Sequence, residues 1–289
     1  MKVAISGITG FIGKQLSDHL LKSGNELIAI SRGDFAGGRN QLAKVINSAD
    51  VIINLAGSPV LQRWNKKNRQ RILSSRVDTT RLLVEAVRHN LPEHCPKVFI
   101  NASAIGIYED SGTYDESSTG LGTGFLAIVC KAWESETLPL KDLDIRLCIV
   151  RVGIVLGKGG GSLGKMLPIF KAGLGGRIGT GRQPFPFIHI SDFCRAIDHL
   201  ISHQNSMGIY NLVSPLPTTN SLFTAALAST LHRPAFFTVP EFALKLIYGG
   251  ASEMLTKGSI VKPTHLLYEG FQFHFPDISS ALADLIQEK

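Results

Sequence analysis

The sequence lacks any run of apolar residues near the ~20 needed to span a bilayer. Its amino terminus also enters a strand-like segment directly, with no basic stretch followed by a signal-type apolar core. A cytoplasmic protein with no membrane partner is therefore expected. Cysteine is scarce: Cys95, Cys130, Cys148 and Cys194 are scattered without metal-ligand spacing, and Cys148 falls inside a strand-like run. Reduced structural thiols and no metal site are the reading. Charge is modest, at 18% of 289 residues against 44% hydrophobic, which suits one large core or one core plus a small lobe. Internal repeats and low-complexity segments are absent. The net charge of +7 gathers between Arg63 and Arg88, where eight cations outnumber Asp78 and Glu85. No recognition motif or interleaved aromatic platform accompanies them, so a nucleic-acid partner is not expected. A solvated helix face is the simpler reading, and such a face also draws anionic cofactors or substrates toward a cleft.

The chain does have a distinctive beginning. Lys2 to Ser6 is an apolar run of strand length, and it breaks into Gly7-Ile8-Thr9-Gly10-Phe11-Ile12-Gly13, with a helical pattern through Leu16, Leu20 and Leu21. A strand, a tight turn and a helix start in that spacing suit a dinucleotide pyrophosphate. Gly7 permits the turn, Gly10 lets backbone N–H groups approach the phosphates, and Gly13 lets helix and strand pack closely. Thr9 adds a hydroxyl donor. The second strand, Glu26 to Ile30, ends in Ser31-Arg32-Gly33. A ribose 2′-OH is usually met at this point by an acid, and a 2′-phosphate by cations and hydroxyls. Ser31 and Arg32 favour NADP, and Asp34 keeps NAD open, as does the reading of Arg32 as a plain turn residue.

A linking segment from Asn40 to Ser48 leads to a third strand, Asp50 to Gly57, whose end Leu55-Ala56-Gly57 lies beside the glycine turn. A long helix from Lys66 to about Asn90 buries Ile72, Val77, Leu82, Leu83, Val84 and Val87. A strand at Lys97 to Ser103, a polar loop to Gly124, a helix from Phe125 to about Leu138 and a strand at Asp144 to Arg151 follow. That alternation predicts an α/β doubly wound parallel sheet with right-handed crossovers.

Several stretches make the resemblance specific: the glycine turn, Asn54-Leu55-Ala56-Gly57, Ser75-Arg76-Val77, Asn101-Ala102-Ser103-Ala104-Ile105-Gly106, Arg151 to Gly157, and Phe187 to Asp192. In these the chain resembles an extended short-chain dehydrogenase/reductase. More narrowly it resembles the atypical epimerase-like subgroup described as nucleoside-diphosphate-sugar epimerases or cell-division inhibitors. The likeness runs nearly the whole length and ends in Lys262-Pro263 and Gly270 to Phe273. It implies a Rossmann-like sheet with a small C-terminal substrate lobe: a dinucleotide domain at 1–158 with 187–215 returning to it, and a smaller lobe from 159–186 and 216–289. A small-molecule substrate in a cleft between the lobes is implied, and a homodimer is compatible.

The superfamily's chemistry uses a serine and a Tyr-x-x-x-Lys pair one helical turn apart. By motif Ser103 is the serine, orienting a reacting oxygen, and Lys131 the lysine, holding the nicotinamide ribose. Four residues before Lys131 stands Ala127, which transfers no proton. Tyr108 and Tyr114 are the nearest phenols, and Tyr108 is also a candidate substrate contact. Arg76 is placed to meet cofactor phosphates or an anionic substrate, with a salt-bridged helix residue as the alternative. Val152 and Gly153 would face the nicotinamide. In the second lobe Gly159 to Ser162 reads as a flexible connection, and 173–181 as a loop that orders on ligand binding. Arg182 and Gln183 are the expected substrate contacts, Asp192 or Ser191 caps a helix, and His189 is either buried or catalytic. Two functions follow: an NADP-dependent epimerase-like or oxidoreductase-like protein, or a dinucleotide-binding sensor or scaffold without catalysis.

Overall fold

The structure, a computed structural model, describes residues 1–90 and 94–286. Strand β1 (Lys2–Ser6), helix α1 (Phe11–Lys22) and strand β2 (Glu26–Ile30) form where the periodicity predicts. The crossover to β3 (Val51–Asn54) is helical and not a plain link: it holds α2 (Arg32–Ala36) and α3 (Gly38–Ile46). Ser31 and Asp34 start α2 by capping each other's backbone, and Leu42, Ala43 and Ile46 anchor α3 in the core. Next come α4 (Lys66–His89), β4 (Val98–Ala104), β5 (Thr113–Tyr114), α5 (Phe125–Ser135), β6 (Arg146–Val152) and β7 (Ile154–Leu156).

Beyond them lie α6 (Gly161–Lys171), β8 (Gly176–Ile178), β9 (Phe187–His189), α7 (Ile190–Ser202), β10 (Gly208–Leu212) and α8 (Asn220–Leu231). The chain closes with β11 (Phe237–Val239), α9 (Glu241–Tyr248), α10 (Glu253–Thr256), β12 (Ile260–Val261), α11 (Thr264–Tyr268) and α12 (Ile278–Ile286). Among the described residues no helix is long and apolar enough to cross a membrane.

Six parallel strands make the main sheet in the order β10-β6-β4-β3-β1-β2. The central strands β1, β3, β4 and β6 are largely apolar on both sides because helices cover both faces. Val3, Ile5, Val51, Ile53 and Val150 pack with Leu16, Leu20, Phe193 and Ile197 of α1 and α7. Ala4, Ile52, Phe99 and Ile149 face the other way, against Leu42, Ile46, Leu83 and Val87 of α3 and α4. The strand order reverses between β1 and β3, and in such sheets a crevice opens at that point beyond the carboxyl ends of the strands.

Three small parallel pairs stand outside the sheet: β7 with β9, β8 with β11, and β5 with β12. Two expectations change here. Gly159 to Ser162 is no loose tether, since α6 begins at Gly161, and a Cβ on Gly160 or Gly161 would sit 2.4 or 2.9 Å from the Phe11 ring. The 173–181 segment already has backbone partners, because β8 pairs with β11. Helix α7 is capped by neither Asp192 nor Ser191: the imidazole Nδ1 of His189 accepts the Ser191 N–H at 3.1 Å.

Candidate functional site

The crevice is built on the turn after β1. Gly7 has φ +76°, and a Cβ there would stand 2.8 Å from the Leu55 carbonyl oxygen. At Gly13 a Cβ would lie 2.3 Å from the Gly7 carbonyl, so α1 packs on the turn only as glycine. Gly10 is the N-cap of α1 and has no side chain to satisfy it. The first-turn amides of Phe11, Ile12 and Gly13 therefore face the groove beside the exposed Thr9. The bare backbone and the positive end of α1 fit a pyrophosphate, because any larger residue would fill the space.

A buried polar ladder crosses the carboxyl ends of three neighbouring strands. Ser6 Oγ donates to Asn54 Oδ1 at 2.6 Å, and Asn54 Nδ2 donates to Asn101 Oδ1 and Thr80 Oγ1 at 2.8 and 2.7 Å. Ser6 Oγ also accepts the Ala56 N–H, and Trp133 Nε1 donates to Thr80. These bonds fix the path of Leu55-Ala56-Gly57 against the glycine turn. Arg76 closes it from behind. Its guanidinium donates to the Ser58 and Ile72 carbonyls and lies 5.1 Å over the Trp133 ring, and a Cβ on Gly57 would come within 2.9 Å of it. Burial lowers the Arg76 pKa, and no carboxylate pairs with it among the described residues, so the salt-bridged alternative falls away.

At the end of β2 the two halves of the Ser31-Arg32 expectation separate. Ser31 Oγ lies 2.6 Å from the Asp34 carboxylate, which also accepts the Ser31 N–H. Ser31 is thus a helix cap and not a free phosphate donor. Those same hydrogen bonds lower the Asp34 pKa and occupy the acid that would otherwise meet a ribose hydroxyl. Arg32 stands exposed.

The expected catalytic residues are engaged by partners within the protein. Ser103 is 3% exposed and its hydroxyl donates to Glu134 Oε1 at 2.6 Å, so it is committed within the protein. Glu134 is gripped by Arg151 through two 2.9 Å bonds, and Arg151 Nη1 donates to the Tyr108 hydroxyl at 3.0 Å. Burial pushes the Arg151 pKa down, and the Glu134 bonds and charge outweigh it, leaving the pKa raised. Tyr108 is no rim residue: it is 3% exposed, its oxygen lies 2.9 Å from Asn211 Oδ1, and burial raises its pKa. Tyr114 stacks on it at 5.2 Å. Ala127 is 2% exposed, beneath Gly122, and Lys131 Nζ donates to the Gly122 carbonyl at 2.8 Å.

Val152 packs against the core and Gly153 is pressed against Pro186, with a Cβ 2.7 Å from its carbonyl. Arg182 is exposed, whereas the Gln183 amide donates to the Ile178 and Leu255 carbonyls and serves as a strut. His189 is buried with Nε2 3.3 Å from Asp284, and Asp192 accepts the His274 and Phe275 N–H groups. Sequence reasoning passed over Glu134, Glu116 and Asn211. The first had a signal, the one acid of an apolar helix, α5, opposite an arginine set inside an apolar strand, β6. The other two are joined to their partners only by the fold.

Comparison with known proteins agrees with this fold. The profile of the NAD-dependent epimerase/dehydratase family matches residues 3–212, and a domain of unknown function, DUF1731, matches 239–285. The mouse epimerase family protein SDR39U1 is 37% identical over 296 residues, covering 99% of this chain and all of that protein. An Arabidopsis thaliana homologue, described as chloroplastic, is 31% identical over 99% of this chain and 87% of its own length. The crystal structure of human SDR39U1 with NADPH superposes with a TM-score of 0.91 at 34% identity, covering 99% of both chains.

Proposed function

The chain belongs to the NAD-dependent epimerase/dehydratase family, and from that premise we propose that it binds NADP(H) along the crevice and acts on a small molecule in the cleft beside it. The observation that carries the choice of NADP(H) is the capture of Asp34 in the Ser31 cap, which leaves Arg32 as the free charged group at the end of β2. The human relative's NADPH complex supports the same choice. Gly7, Gly10 and the first-turn amides of α1 would hold the pyrophosphate, and Arg32 the 2′-phosphate. Leu55 to Gly57, stiffened by Arg76 and the Ser6–Asn54–Asn101 ladder, would line the cofactor's inner side. Bound nicotinamide supplies hydride transfer.

Lys131 would hold ribose hydroxyls with the donors left after its bond to Gly122. Ser103 acts through Glu134 as part of the buried scaffold and not as a direct hydrogen-bond donor to substrate. With Ala127 covered and Tyr108 buried, the proton carrier in an oxidoreductase or epimerase reaction is water, Tyr114 or a hydroxyl of the substrate. Arg182, exposed at the edge of the smaller lobe, would meet an anionic substrate group.

Titration of the protein with NADPH and NADH, in wild type and Arg32→Ala, tests the reading. Wild type should prefer NADPH, and Arg32→Ala should weaken it roughly 10- to 100-fold while leaving NADH nearly unchanged, the worth of a charge-assisted bond. Equal wild-type affinities would sink the proposal. The commitment of Ser103 and the burial of Ala127 favour a second reading, a dinucleotide-binding sensor. Tight NADPH binding without turnover of any sugar nucleotide, aldehyde or ketone would select it.

A further inference from the structure

The far end of α7 carries a cluster that the cofactor crevice does not use. His199 lies in the last turn of α7 and His203 is the residue just past its end, with ring centroids 5.1 Å apart. Glu269, just beyond α11, enters from 70 residues away. Its Oε2 lies 3.1 Å from His199 Nε2 and 3.7 Å from His203 Nδ1, and the three donor atoms all fall within 4.8 Å of one another. The cluster sits by the start of β10, where Gly208 begins the strand, so it lies at the amino-terminal side of the sheet. The glycine turn is at the carboxyl side.

We propose that His199, His203 and Glu269 form a binding site for a divalent zinc-like ion, with water as the fourth ligand. Two imidazoles and a carboxylate are a zinc donor set, and bonds of ~2.0–2.1 Å in a tetrahedron put neighbouring ligand atoms roughly 3.3–3.4 Å apart. The 3.1 and 3.7 Å separations bracket that edge, so small side-chain rotations admit the ion. The carboxylate is oriented as a monodentate ligand would be. Its other oxygen, Oε1, accepts the hydroxyl of Tyr210 at 2.6 Å, and the Ser206 hydroxyl donates to Oε2 at 2.5 Å. Such outer partners set ligand direction in metal sites. The carboxyl end of α7 adds its negative dipole end to the charge of Glu269. Arg146, the neighbouring cation, is turned to the Leu200, Ile201 and Ser206 carbonyls and satisfies that helix end. An ion here would clamp the segment after α11 to α7 and hold the C-terminal elements on the sheet.

The test uses the full chain, stripped with chelator and then dialysed against Zn²⁺, with metal content measured by mass spectrometry and affinity by calorimetry. One zinc per chain is expected, with a rise in melting temperature, and Co²⁺ in its place should give the intense visible band of a tetrahedral site. His203→Ala, at a side chain 41% exposed, should keep the fold by circular dichroism and lose the bound zinc. Tyr210→Phe should weaken binding roughly 10-fold. Mg²⁺ should produce no effect. Failure of the stripped protein to take up zinc, or equal uptake by wild type, His203→Ala and His199→Gln, would overturn the site and leave a plain histidine–carboxylate cluster. Neither result bears on NADPH binding, which is measured separately.

Discussion

Glu134 holds three groups at once: the Ser103 hydroxyl and two nitrogens of Arg151. Removing it strands an arginine that is 3% exposed, so Glu134→Ala should lower stability by about 3–5 kcal/mol in denaturant unfolding. Glu134→Gln keeps an acceptor for one partner and should fall between. An unchanged midpoint in Glu134→Ala would mean that the pair is solvated. Ala127→Tyr should not restore a general acid, because Ala127 is 2% exposed with Gly122 over it. A fall in melting temperature without a gain in turnover is expected. At this scale the sequence was legible by position and not by direction. Ser103 lies on β4 and Lys131 on α5, the elements expected for them, yet the partner that turns Ser103 inward is 31 residues away. Arg32 could be read as a phosphate contact, whereas Ser31 followed three residues later by Asp34 was a cap signature that its neighbour overshadowed.

Helix α7 depends on an imidazole for its first turn. Nδ1 of His189 accepts the Ser191 N–H, so the ring must be neutral there, with its proton assigned to Nε2 facing Asp284. Burial lowers the His189 pKa, against the opposing pull of Asp284 and Asp192. A lowered folded-state pKa means that the unfolded chain takes up the proton first, so stability falls as pH drops below the ordinary histidine value of 6.5. Melting temperature measured from pH 7.5 to 5 should decline, and His189→Asn, which retains a capping oxygen, should flatten the decline. An identical slope in the variant would assign the effect elsewhere. Gly13→Ala drives a Cβ into the Gly7 carbonyl and should cost about 1–3 kcal/mol, with a loss of NADPH affinity read in the same samples. The long elements were legible because helices on both faces make the central strands continuously apolar. The ribbons were not: Thr113 of β5 pairs with Ile260 of β12, a match of two residues across 147 positions that no local pattern announces.

The two family-matched segments, 3–212 and 239–285, are one object in structural terms. Glu116, before α5, accepts N–H bonds from Asn211 in the main sheet and from Thr264 and His265 in the last fifth of the chain. Asp192 on α7 accepts from His274 and Phe275, and α12 packs Ala281, Leu282 and Leu285 against Phe223 and Leu227 of α8. A chain cut after residue 238 leaves buried Asp192 without its two backbone donors and Glu116 with only Asn211 of its three, and bares the face of α8. It should be recovered as aggregate or fail to give a cooperative melt, and a soluble, cooperatively folding 1–238 fragment would refute that. The resemblance could delimit a C-terminal lobe, but not this dependence, which rests on carboxylates whose donors lie 82 or more positions further on. The same bonds set an order in time. During synthesis the Rossmann half is made first, yet the hydrogen bonds of Asp192 and Glu116 are completed only once residues 264–275 have been made, so the C-terminal elements dock last.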